Sequence, residues 1–176
     1  MKKPTATQKT AITDAPPTGR RRGADHYSIS AYPMHYIAAV QRQNFINLGR
    51  RLRSSGLSVP MWRALSALHE KDGLTIGEIA ELTVLDRSSL GRLLEEMAAE
   101  GLVERENPPD DRRAVLIRLS AAGRKRYDAA LPIVLQHYDR LLRGIGEDEF
   151  GVFMRVLRRL KANSRMMSDV AADEDS

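Results

Sequence analysis

The chain has 176 residues, a formal charge of +5, and 42% hydrophobic but only 5% aromatic residues. That length suits one well-cored domain with tails rather than two domains, and a core poor in aromatics, built from Leu, Ile, Val, Met and Ala, suits helices better than a β-sandwich. The basic balance favours a polyanionic partner, nucleic acid first and an anionic membrane second.

The absence of cysteine excludes a disulfide frame, a thiolate metal site and a thiol redox sensor. His26, His35, His69 and His137 lie far apart, without the spacing of a zinc site. No apolar run approaches the roughly 18–20 residues of a membrane span, and the basic N-terminus lacks the apolar stretch of a secretory signal. The expectation is a cytoplasmic protein with no metal and no cofactor.

Residues 1–24 hold almost no large apolar side chain and read as a disordered basic tail. It ends in Arg20, Arg21 and Arg22, which are either a solvated run or an arm for DNA phosphates or a minor groove. From Pro33 to Ser55 the spacing of Ile37, Val40, Ile46, Leu48 and Leu52 predicts a helix closed by Gly56. Ser58 before Pro60 starts a second helix, with Trp62, Leu65 and Leu68 on one side, which Asp72 and Gly73 break.

Thr75 and Glu78 form a capping box for a short third helix, and Asp86 is a good N-cap for a fourth over Asp86–Gly101. In that fourth helix Leu90, Leu93, Leu94 and Met97 fall on one face, while Ser88, Ser89 and Arg92 point away. Small hydroxyls let a helix approach base edges closely, and arginine can bond guanine in bidentate fashion. Leu102–Glu106 and Ala114–Leu119 predict two strands around the polar turn Asn107–Arg113, a β-hairpin with a long tip. Ser120 then caps a helix to Arg143. After Gly144 and Gly146 a last helix, Glu147–Met167, carries Phe150, Phe153, Met154, Leu157 and Leu160 on one face and Arg155, Arg158, Arg159 and Lys161 opposite. Asp169–Ser176 reads as a frayed acidic tail.

This order gives a mainly α fold with a small β-hairpin wing, a winged helix-turn-helix. Three segments make the likeness specific: Leu74–Ala80 (LTIGEIA), Leu85–Met97 (LDRSSLGRLLEEM) with Glu100–Arg105 (EGLVER), and Asp110–Ala114 (DDRRA) with Ile117–Gly123 (IRLSAAG). Over about residues 34–167 the chain resembles the MarR family of bacterial regulators, with Ser120 where the family often has Thr. The resemblance implies a homodimer on a palindromic double-stranded operator, with paired recognition helices in successive major grooves and wings in the flanking minor grooves. It implies an N-terminal dimerisation helix at 25–56, the DNA-binding winged helix at 57–120 and C-terminal dimerisation helices at 121–168, ahead of the acidic tail at 169–176. Arg113 would be the wing arginine, braced by Asp111. The full DNA-binding set is Thr75, Arg87, Ser88, Ser89, Arg92, Asp111, Arg112 and Arg113.

The resemblance further implies a repressor released by a small-molecule effector, in the CouR-like, aromatic-acid-catabolism type an aromatic acid or its CoA thioester (aromatic acyl-CoA). The candidate ligand residues are Tyr32, His35, Tyr36, Trp62 and Arg63, with Tyr36 and Trp62 equally readable as core or interface aromatics. No catalytic constellation stands out, so the chain does not read as an enzyme. An activator, or a winged-helix protein-interaction module without specific DNA binding, are the alternatives.

Overall fold

The computed structural model describes Ile29, residues 32–107 and residues 115–174, with side chains as far as Met167. Arg20–Arg22 and the wing-tip residues Asp111, Arg112 and Arg113 lie outside the described residues. In chain order the elements are α1 (Pro33–Leu52), a 3-10 turn (Arg53–Ser55), α2 (Val59–Glu70), β1 (Leu74–Thr75), α3 (Ile76–Thr83), α4 (Arg87–Ala99), β2 (Val103–Glu106), β3 (Leu116–Leu119), α5 (Ala121–Leu141) and α6 (Glu147–Glu174).

Two compact units divide the chain, Met1–Asn47 and Leu48–Ser176. In the first, the described part is most of α1, where Gln43 donates to Asn47 one helical turn on (3.0 Å). Tyr36, Val40 and Phe45 are exposed there.

The second unit holds the core. Leu65 and Leu68 of α2, Ile79 of α3, Leu90, Leu94 and Met97 of α4, and Ile117 of β3 are sealed from solvent, joined by Leu48 and Leu52 from the last turn of α1. Four helix starts follow the chain's own polar residues. Ser58 accepts the Met61 N–H (3.2 Å), Thr75 the Glu78 N–H (3.3 Å), Asp86 the Ser89 N–H (2.9 Å) and Ser120 the Gly123 N–H (2.9 Å). Each satisfies a donor that the first turn of a helix leaves without a partner. At α3 the box is complete, because Glu78 also accepts the Thr75 N–H (2.8 Å).

The sheet has three antiparallel strands in the order β1-β3-β2, one more than the hairpin expected from sequence. Leu74 and Thr75 pair with Ile117 and Leu116 on the far edge of β3. Two residues are too short for an alternation to show, and Thr75 also carries the N-cap signal of α3. At the other end of the chain, α6 runs on to Glu174, so most of the segment expected to fray is helical.

One backbone position is strained. Val84, the C-cap of α3, adopts φ 54° and ψ 43° with 78% of its surface exposed. It is the one non-glycine residue with positive φ among those described. The left-handed region costs an L-residue about 1–2 kcal/mol, most of all a β-branched one. Val84→Gly is expected to stabilise the fold by about 0.5–1 kcal/mol after the entropy lost by glycine is deducted. A lower melting temperature for that variant would show that the valine side chain is held by contacts worth more than the strain.

Candidate nucleic-acid interface

Helix α4 presents the face expected from its periodicity. Leu90, Leu94 and Met97 are buried and Leu93 half-buried, while Ser88, Ser89 and Arg92 are exposed. The Ser89 N–H, above all, holds the Asp86 carboxyl below the usual carboxylate range, and the positive charge of Arg92 acts the same way. Asp86 is therefore ionised at neutral pH and secures the N-terminal turn, the part of α4 that carries Ser88 and Ser89.

Arg87 opens α4 and lies across the first turn of α3. A Cβ added to Gly77 would stand 3.0 Å from its Nη2. The absence of a side chain at Gly77 thus leaves room for the Arg87 guanidinium between α3 and α4. Thr75 is committed to the capping box, with its hydroxyl also donating to Glu78 (2.9 Å). Glu95 of α4 pairs with Arg105 of β2 (3.7 Å), which links the helix to the first strand of the hairpin.

The Leu-Ser-x-x-Gly run at Leu119–Gly123 is a joint. Ser120 donates its hydroxyl to the Gly101 carbonyl (2.6 Å) and its N–H to the Leu102 carbonyl (3.2 Å), and caps α5 with the same side chain. Gly123 follows where the first turn of α5 presses on that backbone. A Cβ there would fall 2.0 Å from the Leu102 oxygen.

The candidate ligand residues fall in both compact units. Tyr32 and Tyr36 are exposed in the first unit, with His35 edge-on to Tyr36 (ring centroids 5.6 Å apart). In the second, Trp62 stacks on Tyr127 of α5 (4.8 Å, interplanar angle 0°), and His69 of α2 stacks on the same Tyr127 (4.1 Å, 20°). Arg63 donates to the Thr83 carbonyl at the end of α3 (3.5 Å). Sequence reasoning missed Tyr127 as the partner of Trp62, and His69 as the second ring stacked on Tyr127. His69 is within one helix of Trp62, seven residues on, and its spacing was the available signal.

Apolar surface remains uncovered on the last two helices. Leu135, Tyr138 and Leu141 of α5 and Phe153, Val156 and Leu160 of α6 are each 41–53% exposed. The inward side of α6 is Phe150, Met154 and Leu157, so the single apolar face expected for this helix is divided in two. Among the described residues no helix is long and apolar enough to cross a membrane, and no group of three His, Cys, Asp or Glu could hold a metal ion.

The MarR family profile matches residues 55–114, from the end of the 3-10 turn after α1 to the wing. The HTH-type transcriptional repressor IacR of Pseudomonas putida is 25% identical over 134 residues, 76% of this chain and 80% of that protein. The crystal structure of a MarR-family regulator from Silicibacter pomeroyi superposes with a TM-score of 0.71 and 32% identity, covering 81% of this chain and 96% of the other. BpsR of Bordetella bronchiseptica shares the fold at TM-score 0.70 and 21% identity, covering 77% and 96%. These relatives are transcriptional regulators rather than enzymes. With its winged helix and 32% identity along 96% of the Silicibacter pomeroyi chain, the protein belongs to the MarR family of DNA-binding transcriptional regulators.

Proposed function

We propose that the protein is a homodimeric repressor that grips a palindromic operator and releases it when a small aromatic acid, or its CoA thioester, binds. The observation that carries the DNA part of the reading is the outer face of α4. Ser88, Ser89 and Arg92 stand exposed on a helix whose opposite side is locked into the core. Such a face can lie on the floor of a major groove, and its arginine can read guanine. Arg87 and the first turn of α3 lie beside it for the phosphate backbone. Arg113, braced by Asp111 and next to Arg112, enters the flanking minor groove, where arginine suits the negative potential.

The uncovered apolar faces of α5 and α6 support the dimer, because a second copy of the chain removes them from water. Two recognition helices then meet half-sites about 34–36 Å apart, one turn of DNA. A change of a few ångströms in their separation weakens both contacts together. The effector acts by preferring one separation, and Tyr32, His35, Tyr36, Trp62 and Arg63 are its proposed contacts. IacR is named a repressor, and the DNA binding of BpsR is regulated by 6-hydroxynicotinic acid, an aromatic acid.

The test uses a duplex selected by the full-length protein from a random-sequence pool. Arg113→Ala is expected to weaken binding to that duplex at least several-fold in an anisotropy titration while the dimer stays folded. Unchanged affinity removes the wing from the interface. For the effector, a panel of aromatic acids and their CoA thioesters is screened by thermal shift. At least one compound should raise the melting temperature and release the duplex over the same concentration range. Stabilisation without release, or no stabilisation by any member, refutes the effector assignment.

A further inference from the structure

Arg118 is the centre of a charged bridge that spans the outer face of the sheet. It stands on β3, the middle strand, directly across from Glu104 of β2. Its Nε donates to Glu106, the last residue of β2, and its Nη1 to Asp72, in the turn before β1 (3.4 Å). Glu106 lies diagonally across the strand pair, within reach of a long side chain. Asp72 has a second task, accepting the Leu119 N–H (2.9 Å) just beyond the two residues of β1. That bond above all lowers the Asp72 pKa from its ordinary value. The guanidinium passes over Gly73, where a Cβ would lie 3.1 Å from Nη1 and where φ is +71°.

The bridge adds little to stability. The three side chains are 42–48% exposed, and surface ion pairs of that kind are screened by water and salt. Its location gives it another effect. Glu106 and Leu116 form the pair that ends β2 and begins β3, at the base of the hairpin. The direction of the two strands at this pair is the direction in which the chain runs on toward the wing residues. On the inner side the Arg105–Glu95 pair ties β2 to α4. On the outer side, among the described residues, only the Arg118 side chain joins both hairpin strands to the turn before β1.

We propose that Arg118, held between Glu106 and Asp72, is a positioning residue for DNA binding, fixing the angle at which the wing leaves the reading head. This rests on the reading of the wing as a DNA contact. Arginine is required for geometry rather than charge, because its planar fork offers separate nitrogens to two carboxylates and a lysine ammonium offers one compact group.

The test compares Arg118→Gln, Arg118→Lys and Asp72→Asn, each alone and combined with Arg113→Ala, in the full-length protein on the selected duplex. Asp72→Asn keeps an oxygen for the Leu119 N–H, so it decides the matter if an Arg118 variant fails to fold. Melting temperatures should stay within about 3 °C of the parent. Affinity should fall about tenfold in all three, lysine included, and each double variant should bind no more weakly than Arg113→Ala alone. Unchanged affinity in the folded variants, rescue by lysine, or losses that simply add to that of Arg113→Ala would overturn the proposal. If Arg113→Ala has no effect while Arg92→Ala does, the wing contact itself fails. If Arg113→Ala weakens binding and the bridge variants do not, the wing contact stands and the positioning role falls.

Discussion

Gly123→Ala is expected to cost about 3 kcal/mol or more and to lower the melting temperature by about 10 °C, far more than an alanine normally costs in a helix. Alanine has the higher helix propensity, so on local grounds the substitution ought to stabilise α5. The tertiary contact reverses the sign. The new methyl would sit 2.0 Å from the Leu102 carbonyl oxygen and 2.9 Å from Leu119 Cδ1. Backbone cannot retreat as a flexible side chain can. Leu102 is itself fixed, since its carbonyl accepts the Ser120 N–H and its own N–H donates to the Met97 carbonyl (2.8 Å). Relief requires α5 to lift from the sheet and exposes the hydrophobic junction beneath. Thermal or urea denaturation of the full-length protein measures the effect. A loss below 1 kcal/mol would mean that the helix can move away without breaking its cap.

Arg92→Ala should leave the fold intact and remove sequence discrimination. Its side chain is exposed and makes no hydrogen bond or ion pair among the described residues, so its contribution to stability is within about 0.5 kcal/mol. A bidentate arginine–guanine contact is worth about 1–3 kcal/mol of discrimination in each half-site. Affinity for the selected duplex should drop by that amount, while affinity for a scrambled duplex changes little. Equal losses on both would place Arg92 on phosphate and leave base reading to Ser88 and Ser89. The slope of affinity against salt supplies an independent readout, because a lost phosphate contact lowers it by about 1 per site.

What was legible in the sequence is what is decided locally. Ser58, Thr75, Asp86 and Ser120 mark their helices because a cap needs only the next three residues. The buried side of α4 was readable because one helix packs one stripe into one core. β1 was hidden, since its identity as a strand depends on β3, more than forty residues away in sequence. Arg63 carried no sign that the Thr83 carbonyl would engage it, and Trp62 none that a ring from α5 would cover it. The acidic end of α6 lacks an apolar stripe, yet it follows a helix already nucleated, and propagation demands far less of a sequence than initiation does. Gly123 was recognised as part of a motif, but the reason for a glycine lies in the Leu102 oxygen that only the fold brings beside it.

The Trp62–Tyr127–His69 stack determines how α5 can travel against α2. Flat rings in parallel contact slide across one another at little cost but resist separation, because separating them gives up the ring contacts and exposes the buried Trp62. One turn earlier, Gly123 is pressed on the Leu102 carbonyl and acts as a fixed point. A helix pinned at one end and greased one turn later sweeps sideways rather than lifting. Displacement of α5 therefore reaches the reading head as shear in the plane of three aromatic rings, and a hinge-like opening between α2 and α5 is the costly alternative.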